Sequence, residues 1–174
     1  MALIKKVEGI SPEFGENCYL AENATIVGKV KMGKDCSIWF NAVVRGDVND
    51  ITIGDATNIQ DGAVIHATYQ KAATYIGNNV SIGHNAIVHG CTIHDKVLIG
   101  MGAIVMDNAV VGEGAVIAAG AVVTQGTIVE PNSIYAGMPA KKIKDVSSEM
   151  AASFLQTSRN YIMYADWFRD NQNG

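Results

Sequence analysis

Three histidines in the middle of the chain are the residues whose type and spacing suggest chemistry. His84 and His89 lie five residues apart in the apolar stretch SIGHNAIVHG, and His66 precedes them in AVIHATYQ. Three neutral imidazoles that leave a fourth position open for water make up a typical catalytic zinc site. A separation of five fits neither one face of a helix nor one face of a strand. The fold that would bring these residues together must therefore be sought in the rest of the sequence.

Polar and charged residues lie just before these histidines. Asn58, Gln60 and Asp61 stand in NIQDGAVIH, where they could orient a metal-bound water or a polar substrate. Asn58 and Asp61 could equally make only backbone hydrogen bonds at corners of the chain, since asparagine and aspartate do so readily. Arg45 and Asp47 stand in VVRGDVND and could pair across an interface, with either a structural or a catalytic role.

An aliphatic residue recurs at every sixth position over most of the chain. A period of six is neither that of a helix nor that of a hairpin. It predicts a parallel β-helix, in which each hexapeptide forms one face of a triangular coil. The alternative, an α/β domain rich in valine by coincidence, does not explain so long a column. The column comprises Leu20, Ile26, Met32, Ile38, Val44, Ile53, Ile59, Ile65, Ile76, Ile82, Val88, Ile93, Ile99, Val105, Val111, Ile117, Val123 and Val129.

The column also predicts the size and the irregular points of the β-helix. Eighteen positions on three faces correspond to about six coils, stacked about 4.8 Å apart. Steps of nine and eleven residues indicate outward loops near 45–52 and 66–75, and a step of five indicates a local contraction. The glycines that follow many column residues are expected at corners, where their backbone freedom is useful.

The sequence after the last column residue changes character. The hexapeptide pattern ends, and residues 147–170 favour a helix that Ser147 or Ser148 would cap. We therefore divide the chain into a β-helix domain, 1–146, and a C-terminal helix, 147–174, packed on a wall of the β-helix. The apolar stripe of this helix comprises Met150, Phe154, Leu155, Ile162, Ala165 and Phe168.

The register of the hexapeptides assigns the histidines to faces. Hexapeptides three apart share a face, so Arg45, His66 and His89 should form a vertical column with one residue per coil. His66 and His89 would then lie about one strand spacing apart, close enough to bind one ion. His84 falls near a corner of the preceding face. This placement suggests that His84 completes the site of a neighbouring subunit around a threefold axis.

Composition argues against several classes of function. The formal net charge of −4 and the pI near 5.5 argue against nucleic acid as the main partner. No apolar run approaches the roughly 20 residues of a membrane helix, and the first residues lack the apolar core of a signal peptide. Three cysteines without a CxxC pair are typical of a reduced, cytoplasmic protein.

Three stretches of the sequence, RGDVNDITIGDATNIQDGAVIH, SIGHNAIVHGCTI and AGMPAKKIK, resemble the gamma-class carbonic anhydrases. The resemblance implies a left-handed β-helix and a homotrimer with metal sites between subunits. It implies that His66 and His89 of one subunit and His84 of the next bind Zn²⁺, in whose place Fe²⁺ or Co²⁺ can serve. The implied reaction is the reversible hydration of carbon dioxide to bicarbonate by metal-bound hydroxide.

The same resemblance gives roles to the surrounding polar residues. It matches Arg45 and Asp47 to an ion pair between subunits near the metal. It matches Gln60 to a residue that orients the hydroxide or the bicarbonate. It matches Asn58 and Asp61 to supporting polar residues of the site.

The resemblance also bears on the C-terminal helix and on proton transfer. Tyr161 matches a helix tyrosine that approaches the metal in a shorter branch of the family. The glutamates that carry protons away in well-characterised members have no counterpart, because no glutamate lies between Glu22 and Glu113. We therefore expect weak hydration, limited by proton transfer.

The alternatives on this fold are a thioesterase-like hydrolase, an assembly subunit in which the metal joins subunits, and a hexapeptide acyltransferase.

Overall fold

The computed structural model describes residues 1–170 and consists of a left-handed parallel β-helix followed by a long α-helix. Most strands are short because one hexapeptide supplies a single rung of one face before the chain turns a corner. In chain order the elements are β1 (Leu3–Lys5), β2 (Glu13–Phe14), β3 (Tyr19–Leu20), β4 (Thr25–Met32), β5 (Ser37–Ile38), β6 (Val43–Ile53), β7 (Asn58–Ile59), β8 (Val64–His66), β9 (Thr74–Ile76), β10 (Ser81–Ile82), β11 (Ile87–His89), β12 (Thr92–Ile93), β13 (Leu98–Ile99), β14 (Ile104–Val105), β15 (Val110–Val111), β16 (Val116–Ile117), β17 (Val122–Val123), β18 (Ile128–Val129), β19 (Ser133–Ala136), β20 (Lys141–Asp145) and α1 (Ser148–Asp170).

Three walls enclose the prism. The helix wall, against which α1 packs, contains β3, β5, β7, β10, β13, β16 and β19, with β20 antiparallel at its end. The histidine wall contains β1, β8, β11, β14 and β17, and the far wall contains β2, β9, β12, β15 and β18. Strands β4 and β6 turn a corner and supply a rung to both of these walls, so the two walls form one continuous sheet.

The predicted column fills the interior of the prism. Seventeen of its eighteen residues are buried, and Leu20 is half-buried near the N-terminal end. The small residues four positions further on are buried as well, among them Ala63, Ala86 and Ala103 in successive turns of one corner. Full burial of one isoleucine side chain contributes about 1.5–3 kcal/mol. The column therefore stabilises the prism along its whole length.

The prism has seven turns, one more than the sequence predicts. The three rungs outside the predicted column are β1, β2 and β19, at the two ends. A terminal rung has a neighbouring turn on one side only, so its sequence is less constrained to the aliphatic pattern. In β19 the residue opposite Ile117 is the aromatic Tyr135, which lies six residues after Val129 and ends the aliphatic column.

The two predicted loops differ in structure. Residues 45–52 belong to the uninterrupted strand β6, and its register with β4 shifts between Gly28 and Val30. The extra residues therefore form an irregularity within the sheet instead of an outward loop. The second loop leaves the prism after β8, as predicted, and returns through an antiparallel bridge between Thr68 and Ala72.

The glycines that follow column residues have a different role from the predicted one. A Cβ atom built on Gly100 would lie 2.5 Å from the backbone nitrogen of Ala119 in the next turn. Glycine is needed there because the backbones of successive turns approach too closely for a side chain. The left-handed backbone conformation at the corners is adopted by other residues, mainly asparagine and a second set of glycines. They include Asn17, Asn41, Asn79, Asn85, Asn108 and Asn132, and Gly62, Gly102, Gly114, Gly120 and Gly126.

Helix α1 begins where the sequence predicts and lies along the helix wall. The Ser147 hydroxyl accepts a hydrogen bond from an N–H of the first turn at 3.3 Å, so Ser147 is the N-cap. The Ser158 hydroxyl donates to the Ala56 carbonyl at 3.1 Å, and Ala165 is buried. Residues 171–174 of the predicted C-terminal domain lie outside the described residues. Within residues 1–170, no helix combines the length and apolar character that crossing a bilayer requires.

The contrast between two neighbouring glycines tests the close approach of the turns. We expect Gly100→Ala to lower the free energy of unfolding by about 3 kcal/mol, because its methyl group meets backbone atoms of the next turn. Gly102→Ala is the matched control, since a Cβ there meets nothing within 4 Å and only the left-handed backbone is strained. We expect it to cost about 1 kcal/mol. Urea unfolding at one protein concentration measures both, and equal losses would contradict this explanation.

Candidate metal centre

Two of the three histidines face each other on the histidine wall. His66 in β8 and His89 in β11 are direct register partners in adjacent turns, as the hexapeptide pattern predicts. The Nδ1 atom of His66 lies 3.1 Å from Nε2 of His89, and the ring centroids are 5.1 Å apart. Parallel pairing of the strands is therefore sufficient to bring these two imidazoles together.

A carboxylate holds the outer nitrogen of each ring. His66 Nε2 lies 3.0 Å from an oxygen of Asp47, and His89 Nδ1 lies 2.5 Å from an oxygen of Asp107. Burial would raise the pKa of Asp47, but hydrogen bonds from Arg45 and His66 outweigh it and hold that pKa below its ordinary value. Burial opposes a lowered pKa at Asp107 as well, and hydrogen bonds from its neighbours prevail there too.

The ionised carboxylates decide where the imidazole protons lie. A carboxylate only accepts, so each neutral ring donates its outer N–H to its aspartate. The inner nitrogens of His66 and His89 then carry lone pairs that point toward the same region. Two nitrogen ligands about 2.05 Å from a tetrahedral ion would be about 3.3 Å apart. The observed 3.1 Å is close to that value, so the pair fits a metal ion.

Two further contacts fix the carboxylates. Arg45 Nη1 donates to the second oxygen of Asp47 at 2.6 Å, and Thr68 Oγ1 donates to the second oxygen of Asp107 at 2.5 Å. The resemblance implies that Arg45 and Asp47 pair between subunits, whereas in this chain they pair with each other. The intersubunit arrangement stays a prediction.

Asp107 and Thr68 are absent from the candidates selected by sequence. A signal for Asp107 exists, because it lies two residues after Val105, and Val105 pairs with Val88 in the next turn of the histidine wall. Extending the vertical column by one turn gives Met106, and Asp107 is the residue after it, so register leads to the neighbourhood of Asp107 but not to the residue itself. Thr68 lies in an irregular loop, where hexapeptide register gives no position.

His84 lies at the corner between the helix wall and the histidine wall. Its Nδ1 is 2.8 Å from an oxygen of Asp61 in the turn before, and its side chain is 42% exposed. Its Nε2 is thus left for another partner. His66 and His89 likewise each have one ring nitrogen that does not contact a carboxylate. Among residues 1–170, no three histidine, cysteine or carboxylate side chains are grouped so that they could hold one ion. The chain by itself brings two imidazoles together and presents the third at a separate corner.

The predicted polar residues near His84 form a buried network on the helix wall. Gln60 Nε2 donates to Asn58 Oδ1 at 3.0 Å, and Asn58 Nδ2 donates to the Ser81 hydroxyl at 2.8 Å. Asn58 therefore lies in a strand and orients Gln60, and it is not a corner residue. Sequence reasoning missed Ser81. A signal for it exists, because Ile82 pairs with Ile59, and the residues before them, Ser81 and Asn58, therefore pair as well.

Beside this network a cavity of 450 Å³ lies between the helix wall and α1. Its lining includes Gln60, His84 and Tyr161, and most of its other lining residues are apolar. Burial, together with the charge of Asp61 and the nearby Tyr164, raises the pKa of Tyr161 to about 12. Tyr161 is therefore a hydroxyl donor at neutral pH. The cavity joins three of the residues selected from the sequence, but not the His66–His89 pair.

Comparison with known proteins supports one family. The family described as bacterial transferase hexapeptide (six repeats) matches residues 90–125. A carbonic anhydrase of Geobacillus kaustophilus is 37% identical over 167 residues, covering 96% of this chain and 91% of the relative. The mitochondrial gamma carbonic anhydrase 2 of Arabidopsis thaliana is 39% identical over 160 residues, covering 89% of this chain. The chain spans 58% of the length of that plant protein.

A solved structure agrees with the fold over nearly the whole chain. The hexapeptide transferase family protein of Anaplasma phagocytophilum superposes with a TM-score of 0.91 at 40% identity, covering 95% of this chain and 98% of that one. The whole-length identity to carbonic anhydrases is more specific than the repeat alone, and the chain belongs to the gamma carbonic anhydrase family.

Proposed function

We propose that the protein is a metal-dependent carbonic anhydrase that interconverts carbon dioxide and bicarbonate. The observation that carries the proposal is the common arrangement of the three histidines. Each ring has one nitrogen on a carboxylate, Asp47, Asp107 or Asp61, and the other nitrogen available as a ligand. Carboxylates in this position are typical of histidine ligands to zinc, because they fix the tautomer and strengthen the ligand.

We propose Zn²⁺ as the metal, with Fe²⁺ or Co²⁺ able to serve. His66 and His89 of one subunit and His84 of its neighbour would hold it, with Nδ1 of His66 and Nε2 of His89 as ligand atoms. A zinc ion with three imidazole ligands and one open position lowers the pKa of water to about 7, which supplies a nucleophile at neutral pH.

We propose a homotrimer, because His84 lies apart from the other two histidines and a neighbouring copy of the chain could bring its own His84 to them. The outer surface of the histidine wall carries the exposed aliphatic side chains of Val64 and Ile87 directly beside the histidines. Met106 continues this apolar surface in the next turn. An apolar surface next to an incomplete ligand set favours a second copy of the chain as its partner. Head-to-tail contacts form a ring when the rotation between subunits closes, and we propose a ring of three.

The cavity beside His84 offers room for the substrate. Carbon dioxide is small and apolar, and the cavity wall is mostly apolar. Because the amide nitrogen of Gln60 is held by Asn58, its carbonyl oxygen is left to accept a hydrogen bond from the attacking water or from bicarbonate. Tyr161 would donate from the opposite, helical side.

The chain has few side chains that could carry the released proton away from the site. The loop that contains Thr68 carries tyrosine, glutamine and lysine but no carboxylate, and no glutamate lies between Glu22 and Glu113. Protons would therefore leave through solvent and buffer. We propose a hydration rate that is limited by this step and rises with buffer concentration.

Two other activities are compatible with the fold. Hexapeptide acyltransferases share the repeat, and the Anaplasma relative is named a hexapeptide transferase family protein. A metal-assisted hydrolase could use the same histidines. Acyl transfer by hexapeptide proteins requires one catalytic histidine and gives no reason for three imidazoles that are each held by a carboxylate. A carboxylate on each ring favours the metal-dependent reactions over acyl transfer.

The reaction itself is tested by stopped-flow hydration of carbon dioxide. We expect protein loaded with zinc, or anaerobically with ferrous iron, to accelerate hydration above buffer, and His89→Ala to remove the acceleration. His94→Ala is the matched control, because His94 is an exposed histidine beside the far wall. A rate equal to buffer with both metals would contradict the proposed reaction.

A mixing experiment tests the sharing of ligands between subunits. Chains carrying His84→Ala and chains carrying His89→Ala each lack one ligand at every site. In randomly mixed trimers, about a quarter of the interfaces combine an intact His66–His89 pair with an intact His84. We therefore expect mixing to restore about a quarter of the wild-type metal content and activity. If all three ligands came from one chain, mixing would restore nothing.

Asp107→Asn tests the carboxylate behind His89. The amide keeps the shape of the side chain but loses the charge that accepts the His89 proton. We expect metal affinity to fall about 10- to 100-fold in competition with a chelator. Asp50→Asn is the control, since Asp50 is exposed and its backbone N–H is bonded to the adjacent Asn49. Unchanged affinity in Asp107→Asn would show that Asp107 does not position the ligand.

A further inference from the structure

Two cysteines stack on each other at the corner between the far wall and the helix wall, near the N-terminal end of the prism. Cys18 precedes β3 and Cys36 precedes β5. Tyr19 and Ser37 pair in register, and the Tyr19 N–H donates to the Cys36 carbonyl at 2.9 Å. This pairing sets the two cysteines one strand spacing apart, about 4.8 Å between Cα atoms. Disulfide bonds span Cα separations of this size.

Packing of the corner does not by itself require sulfur at these two positions. Each of the two sulfurs lies within hydrogen-bonding distance of a glycine carbonyl in the next turn, at 3.1 Å for Cys18 and 3.0 Å for Cys36. Thr57 follows them in the same corner and donates its hydroxyl to the Gly77 carbonyl at 2.9 Å. A hydroxyl therefore fits this corner as well as a thiol does.

The two thiols differ in acidity and in access to solvent. Cys36 can turn its one hydrogen to Cys18, and this hydrogen bond lowers the pKa of Cys18 to about 7. The nearby Arg169 guanidinium acts in the same direction, whereas partial burial and Asp35 oppose it. The same hydrogen bond and burial raise the pKa of Cys36. At neutral pH, Cys18 is thus a partly exposed thiolate beside a buried thiol.

The third cysteine, Cys91, has neither property. It is buried, and burial raises its pKa to about 12. The register of β12 with β9 and β15 places Thr74 and Ala109 next to it in the adjacent turns. Cys91 therefore has no thiol to pair with, and it serves as an internal control for the other two.

We infer that Cys18 and Cys36 are a redox-active pair that forms a reversible disulfide by exchange with a small disulfide of the oxidised glutathione class. The Cys18 thiolate attacks one sulfur of the small disulfide, forms a mixed disulfide and releases one thiolate. That thiolate takes the proton of Cys36, whose sulfur then attacks Cys18 and releases the second thiolate, which takes a proton from water. Two electrons pass from the cysteines to the small disulfide, which becomes two thiols.

The bond would join the first full turn of the helix wall to the second. The attacking cysteine is the accessible one and the resolving cysteine is the buried one, which is the order that exchange requires. The inference goes beyond the proposed function, because neither cysteine is among the proposed ligands or the polar residues around them. Its failure would leave the proposed metal chemistry untouched.

The decisive experiment treats the reduced, full-length protein with oxidised glutathione at neutral pH. The protein is then unfolded, its remaining thiols are alkylated, and its peptides are analysed by mass spectrometry. We expect one alkylated thiol, at Cys91, and a peptide that links Cys18 to Cys36. Reduction with dithiothreitol should restore all three thiols. Three alkylated thiols, a stable glutathione adduct on the wild-type chain, or chains cross-linked through Cys18 would each overturn the inference.

Two substitutions test the order of the steps. Cys36→Ser keeps a hydroxyl for the corner, as Thr57 does, so we expect the reaction to stop with one glutathione on Cys18. Cys18→Ser should leave Cys36 unmodified. Cys91→Ala is the matched control, because it removes a buried cysteine and should leave the disulfide intact. Glutathione found on Cys36 in the Cys18→Ser chain would contradict the assigned order.

A rate measurement on the wild-type chain tests the same order without any substitution. Iodoacetamide reacts with thiolates, so we expect the folded, reduced protein to be alkylated at Cys18 at least about tenfold faster than at Cys36 or Cys91. Peptides sampled over time measure the three rates. Equal rates at Cys18 and Cys36 would contradict the role of Cys18 as the attacking thiolate.

Discussion

Parallel hydrogen bonding between successive turns is the constraint on which the rest of the structure depends. It stacks residue upon residue at one strand spacing, so a feature repeated in sequence becomes a column in space. The same pairing that buries Ile65 against Val88 sets His66 against His89. The inner nitrogens are left facing each other, because Asp47 and Asp107 take the outer protons. These two nitrogens lie 3.1 Å apart, a separation that fits two ligands of one metal ion, and the proposed metal site rests on this pair.

Much of this arrangement could be predicted from the sequence because a period of six converts directly into register. The interior column, the vertical pair of histidines and the start of α1 were predicted correctly on that basis. The end rungs were missed, since a rung with one neighbour tolerates Tyr135 where an aliphatic residue is expected. Asp107 and Thr68 were missed for another reason. Their contacts depend on how far a side chain reaches across a turn or out of a loop, and register does not encode reach.

One corner of the prism carries side chains that its flat faces do not bring together. Phe40, Asp61 and His84 follow one another in successive turns at that corner, where side chains diverge and leave space. Asp61 contacts Nδ1 of His84 on one side and lies among the aromatic residues at the end of α1 on the other. The flat wall, by contrast, holds its histidines close together. The proposed enzyme needs both geometries, and a trimer would bring the corner of one chain to the wall of the next.

Helix α1 runs back along the helix wall, and this return path couples two lengths that the sequence could otherwise vary separately. Each added turn would lengthen the prism by about 4.8 Å, which equals the rise of about three helical residues. A prism that gained or lost a turn beyond Val105 would keep its histidine pair intact. Its helix would nevertheless place Tyr161 and Phe168 short of Trp39 after a gain and beyond it after a loss. The length of α1 must therefore match the number of turns. We expect an insertion in the β-helix to be tolerated only together with an insertion of matching length in α1.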